Sequence, residues 1–111
     1  MMLKGLTEKE RKKLLLNWKE SQAHEGGLDH QPVVKYFYMQ ATWLITEMSE
    51  RGDGFGLCDL GHMCPELGYI HARELQSLKR FGGIQKDRYF TPDQPISVYA
   101  QMAREAGYIN V

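Results

Sequence analysis

The sequence predicts a single α+β domain: an antiparallel sheet of about four or five strands with an N-terminal, a middle and a C-terminal helix. Three observations carry this. A capping-box tetrad with helical spacing behind it opens the chain, strand-like segments rich in β-branched and aromatic residues follow one another between residues 32 and 72, and two later helical stripes end at glycines. A chain of 111 residues hides roughly 65% of its unfolded surface on folding, enough for one core without a metal or disulfide. Residues 1–31 read as the first helix and a polar link, and residues 32–111 as the body of the domain.

Thr7 to Glu10 (TEKE) has capping-box form: the Thr7 hydroxyl accepts from a first-turn amide while Glu10 reaches back to the cap amide. Leu14, Leu15, Trp18 and Gln22 recur at helical spacing, Leu3 and Leu6 pack ahead of the cap, and Gly26-Gly27 stops the pattern. After HEGGLDHQ come VVKYFYM and ATWLITEM, two strands, then the turn cluster SERGD and a third strand, GFGLCDLG, whose glycines permit close backbone approach. Pairing Ile45 with Leu57 in the hairpin around SERGD puts Trp43, Ile45, Glu47, Phe55, Leu57 and Asp59 on one face, with Leu44, Met48, Cys58 and Leu60 on the other.

LGYIHA is the fourth strand, and Ala72, Leu75, Leu78 and Phe81 stripe a second helix closed by Gly82-Gly83. Asp87 to Phe90 reads as a short further strand, TPDQP as a linker, and Pro95 as the first turn of a third helix that runs to Ala106 and stops at Gly107. The expected core is Trp43, Leu44, Ile45, Leu57, Cys58, Leu75 and Leu78, where sheet and second helix meet.

Fourteen basic side chains balance fourteen acidic ones, so the chain lacks the footprint of a phosphate-tracking protein. Residues 1–22 nonetheless hold six Lys or Arg against three Glu, and Lys79, Arg80, Lys86 and Arg88 make a second basic group. The longest apolar runs fall far short of the roughly 20 residues a membrane span needs. The charge-rich start is unlike an export signal, so a cytoplasmic location is expected.

Cys58, His62, Cys64 and His71 lie close in sequence, but their spacing matches no zinc template, and Cys58 falls inside a strand. No metal or other cofactor is expected. Glu47, Asp59 and Glu66 are the carboxylates to weigh for acid–base work; the simpler reading puts Glu47 at a strand end in solvent and Asp59 and Glu66 on turn amides near Gly61 and Pro65. Cys64 with His62 is a weak nucleophile pair. His24 and His30 read as loop residues. No phosphate-cradling loop, nucleophile elbow or HExxH motif occurs, so no motif supports an enzyme.

The segments ATWLITEM, FGLCDLG, PELGYIHARELQSL, RYFTPDQPISVYA and AREAGYI run in an order that resembles a family of small bacterial domains of unknown function, common in plasmid, phage and other mobile-element genomes. The resemblance spans Pro32 to Ile109, with a weaker echo in the N-terminal helix. Cys58, Asp59, Pro65, Glu66, Gly68 and Tyr69 match the family's phrase; Met63 stands where a glycine is usual and His71 where a small polar residue is, so a zinc site on His62 and His71 would be private to this chain. The resemblance implies genetic context and no chemistry.

The expectation is a non-enzymatic interaction protein of a mobile element, a counter-defence inhibitor of the anti-CRISPR or anti-restriction kind that occludes a host protein complex. Its candidate surface is aromatic and acidic: Tyr36, Tyr38, Asp59, Glu66, Tyr69, Tyr89 and Tyr99. Tyrosines also fill cores, so about half of them are expected to be structural. The alternative is a nucleic-acid-binding accessory using Lys9, Arg11, Lys12 and Lys13 on the first helix with Lys79, Arg80, Lys86 and Arg88.

Overall fold

The computed structural model describes residues 2–24 and 28–111. In chain order these form α1 (Glu8–Ala23), β1 (Val34–Tyr38), β2 (Ala41–Met48), β3 (Asp53–Asp59), β4 (Glu66–His71), α2 (Ala72–Gln76), a 3-10 turn (Arg80–Gly82), β5 (Gln85–Lys86) and α3 (Ile96–Ala106). All strand pairs are antiparallel in the order β4-β3-β2-β1-β5. The fold is therefore α+β. The first four strands form a meander because each link is a tight hairpin or short loop, and β5 returns to the far side of β1. Among the described residues no helix is long and apolar enough to cross a membrane.

The Thr7 capping box forms as predicted, the hydroxyl accepting from Glu10 N at 3.1 Å and the Glu10 carboxylate from Thr7 N at 2.9 Å. The predicted helix stop at Gly26-Gly27 lies outside the described residues; α1 itself ends at Ala23. Its buried stripe is Leu14, Asn17 and Ser21, while Gln22, predicted to lie on the stripe, is exposed.

The sheet is sandwiched. On one face α1 and α2 cover Val34, Tyr36, Trp43, Ile45 and Met48, with Leu14, Ala72 and Leu75 from the helices and Leu78 and Cys58 packed alongside. On the other, Ile96, Tyr99, Ala100 and Ala103 of α3 cover Leu44 and Leu57. The expected single core is thus two: Leu44 and Leu57 belong to the α3 side, away from α2. The cause is register. Leu44, not Ile45, stands opposite Leu57, Ile45 stands opposite Gly56, and a β-bulge at Thr46 shifts the phase so that Glu47 faces Phe55. Trp43 and Ile45 therefore point away from Leu57, whereas Glu47, Phe55, Leu57 and Asp59 do share a face. Gly56 is required here: a Cβ on it would lie 2.1 Å from Leu44 O.

Three further elements depart from the sequence reading. The second helix does not reach Phe81; it ends at Gln76, where the Ser77 hydroxyl turns back onto Glu74 O and competes with the next turn, and Phe81 takes a left-handed φ of 54°. The last strand is Gln85–Lys86 rather than Asp87 to Phe90, because the Asp87 side chain accepts from Tyr89 N at 2.9 Å and bends the chain. Pro95 caps α3 instead of opening its first turn, and Gly107, at φ 87°, closes that helix as predicted.

Candidate functional site

Strand β4 is a sheet edge, and it separates two clefts of about 550 Å³ each. Among the described residues no backbone hydrogen bond from outside the sheet reaches Glu66–His71. The first cleft lies on the α2 side. It stays open above Gly68, which has no side chain and whose missing Cβ would have nothing within 4 Å. Cys58, Ile70, Leu75 and Leu78 give it an apolar lining, and Glu66 and Glu74 are exposed on its rim. His71 is committed: its Nδ1 accepts from Arg73 N at 3.0 Å, capping α2, and its Nε2 lies 3.8 Å from Asp53.

The Cys58 thiol, half-buried in this lining, is pushed up to about 11 by burial and by the negative charge of Glu66, so it stays protonated at neutral pH. His62 and Cys64 are exposed on the β3–β4 loop, apart from Cys58 on its strand and His71 at its helix cap. Among the described residues no three metal-ligating side chains converge.

The second cleft lies between the C-terminal turn of α1, the link at Leu28-Asp29 and the start of α3. Its floor carries Glu47, which is 5% exposed and not at a solvent-facing strand end as the sequence suggested. β1 begins opposite Ile45, so past that point the β1 side of β2 carries no strand, and α1 closes it instead. Asn17 Nδ2 donates to Thr46 O at 2.9 Å, and Ser21 Oγ donates to Glu47 Oε1 at 2.9 Å. The Thr46 hydroxyl sits 3.1 Å from Phe55 O and 3.3 Å from Glu47 Oε1, dividing its one proton between them. Burial raises the Glu47 carboxyl above its ordinary value, against the opposing pull of the Ser21 and Thr46 hydroxyls and of His30. Glu47, Phe55 and Tyr69 form one cross-strand row that ends at the sheet edge, with the Phe55 and Tyr69 rings edge to face at 5.2 Å.

The aromatic-acidic candidates divide sharply. Tyr69 is 79% exposed and Tyr89 87%, Glu66 is exposed, and Tyr38 is half-buried with its oxygen accepting from Arg80 N. Tyr36 has no exposure and ties its hydroxyl to Lys4 O, which makes it a core residue. Tyr99 is buried under α3 with its hydroxyl on Asp93. Asp59 is buried too: it accepts from Gly61 N, as the turn reading anticipated, and from Ile109 N, each at 2.9 Å. These three hold the fold together and offer nothing to a partner. Only Glu66 and Tyr69 lie beside the clefts.

The basic candidates are likewise mixed. Lys9, Lys12, Lys13, Lys79, Arg80 and Arg88 are exposed. Arg11 is engaged by Glu50 at 3.0 Å and Glu8 at 3.5 Å, and Lys86 by Glu10 at 2.7 Å. Two of the eight cations are thus already neutralised within the chain. The residues that sequence reasoning missed are Gly68, whose role is to leave space, and Ser21 and Asn17, whose signal was polarity recurring at the spacing of Leu14.

A family model for the proteins of unknown function DUF2958 matches residues 5–110. It takes in α1 as well as the stretch from Pro32 onward. Neither a curated protein nor a solved structure matches the chain.

Proposed function

The chain belongs to the DUF2958 family of proteins of unknown function, and we propose that it is a non-enzymatic interaction protein that docks an extended segment of a partner protein along β4. The single observation that carries this reading is the pairing of an uncovered sheet edge, Glu66–His71, with the cleft left open above Gly68. An added strand gains main-chain hydrogen bonds from the edge and sends alternate side chains into the cleft. Glu66 and Glu74 on the rim, with no Lys or Arg among the described residues of the lining, favour a segment that alternates apolar and basic residues. The raised Cys58 thiol and the absence of a nucleophile–base pair at this cleft support binding over catalysis. The finer setting we propose is the cytoplasm of a cell carrying a mobile element, with occlusion of a host defence complex as the outcome.

Capture from a host lysate, run in parallel with the parent and Gly68→Arg, tests this, because the arginine enters open space and fills the cleft. The expected result is a protein retained by the parent in physiological salt and lost by the variant. Equal retention by both, or no retention by the parent, would discard the reading. The competing nucleic-acid reading predicts instead that DNA or RNA binds in physiological salt and is lost when Lys9, Lys12 and Lys13 become Ser.

A further inference from the structure

The geometry points to the second cleft as a binding site for a small organic cation, an amidinium or guanidinium attached to an apolar or aromatic body, held by Glu47. This site is separate from the β4 docking groove and does not depend on it. Glu47 is 95% removed from solvent, and Ser21 and Thr46 satisfy Oε1; Oε2 makes no hydrogen bond among the described residues and is not one of the enclosed atoms left without a partner, so it keeps its contact with the cleft. The carboxylate lines the cleft. Oε2 can therefore take a donor from the cleft, and a charged donor makes the stronger hydrogen bond. Among the described residues no Lys or Arg lines the cleft to supply one.

Three features give the missing partner a positive sign. Asp29, at the mouth, accepts from Ser97 N and Ser97 Oγ at the start of α3, so the positive end of that helix is already answered by a negative charge. The C-terminal end of α1, which brings Ser21 to the cleft, has no basic residue in its last turn, so its carbonyl end adds negative potential. Among the described residues His24 is the one lining side chain able to carry positive charge, and it is exposed at the rim, while His30 acts on Glu47 from outside the lining.

The walls define the rest of the ligand. Leu28, Phe55, Leu67, Tyr69 and Ile96 are apolar or aromatic, and the Phe55 and Tyr69 rings continue the row that starts at Glu47. A planar cation on Glu47 therefore lays its body along ring surface, where cation–π attraction adds to the ion pair. The cleft volume of about 550 Å³ suits a small molecule and lies within the usual range for ligand pockets.

Benzamidine is a direct probe, with neutral benzamide and anionic benzoate as controls of the same shape. In a titration followed by amide NMR, benzamidine is expected to shift the resonances of Ser21, Glu47, Phe55 and Ser97 and to bind at least tenfold more tightly than either control. Glu47→Gln keeps an acceptor for Ser21 but removes the charge, and should weaken benzamidine at least tenfold with an unchanged spectrum elsewhere. Leu28→Trp, which crowds the exposed mouth without touching the floor, should weaken it as well, and keeps the test valid if the Glu47 variant fails to fold. Equal affinity for benzamide, undiminished binding by a folded Glu47→Gln, no binding at all, or shifts confined to Cys58, Ile70 and Leu78 would each overturn the assignment. The last of these would place the cation on Glu66 and Glu74 instead, and leaves the docking reading to its own test.

Discussion

Ser21 Oγ lies 2.9 Å from Glu47 Oε1, and through this bond the last turn of α1 holds the carboxylate that lines the second cleft. Burial sets what Glu47 costs the fold, and this contact offsets part of it. A carboxyl whose folded pKa lies above its unfolded value binds more protons when folded, so stability falls as pH climbs from the ordinary 4.5 toward the folded value, and the penalty is complete above it. Glu47→Gln removes that penalty. Thermal melts of parent and variant between pH 4 and pH 8 should diverge as pH rises, the variant melting higher at neutral pH. Parallel curves would show that Glu47 ionises as freely in the folded chain as in the unfolded one.

Two glycines that look alike in the sequence should behave oppositely. Gly56→Ala drives a Cβ to 2.1 Å from Leu44 O, in the central strand pair where neither backbone has room to move. It should cost on the order of 3–5 kcal/mol or prevent folding. Gly68→Ala meets nothing within 4 Å and should stay within about 0.5 kcal/mol of the parent. Urea unfolding of both variants settles the contrast.

Because Leu57 and Leu75 sit in separate clusters on opposite faces of the sheet, each truncation to Ala should cost about 2–5 kcal/mol through lost burial and cavity formation. The double variant should lose their sum to within about 0.5 kcal/mol. A coupling much larger than that, measured by the same denaturant titrations, would mean that the two cores communicate through the sheet.

The two cysteines differ in exposure and in the state of the thiol. At pH 8 iodoacetamide should modify the exposed Cys64 and leave Cys58, whose thiol is pushed up to about 11, protected until the chain unfolds. Intact mass with and without Cys64→Ser reads this out: a single adduct on the native parent, and none on the variant over the same time. Rapid alkylation of native Cys64→Ser would contradict the burial of Cys58.

The fold was largely legible because its signals are local. Thr7 to Glu10, the turn at SERGD and the glycine after Ala106 each act within a few residues, and each formed as the sequence indicated. What was not legible arises from pairing at a distance. The bulge at Thr46 has no signature of its own; Asn17, 29 residues away, donates to Thr46 O there, and the bulge alone moves Glu47 onto the face of Leu44. The same limit applied to the site. Tyr69 and Glu66 were visible as an aromatic and an acid next to each other in an edge-like strand. The burial of Tyr36, Tyr99 and Asp59 depended on Lys4, Asp93 and Ile109, partners that no spacing rule connects to them. A Glu set in the apolar run ATWLITEM was the one available hint of a buried acid.

The strand order also sets a sequence of assembly. Four consecutive strands meet their neighbours through short loops, so the meander closes with little loss of chain entropy, whereas the Glu10–Lys86 pair joins positions 76 apart. The meander should therefore form first, with β5 and α1 zipping on afterwards. At equilibrium the late arrivals are also the first to detach. Native-state hydrogen exchange should find the amides of Gln85 and Lys86, together with the outer turns of α1, exchanging through openings smaller than global unfolding, while those of Leu44 and Leu57 exchange only when the whole chain unfolds.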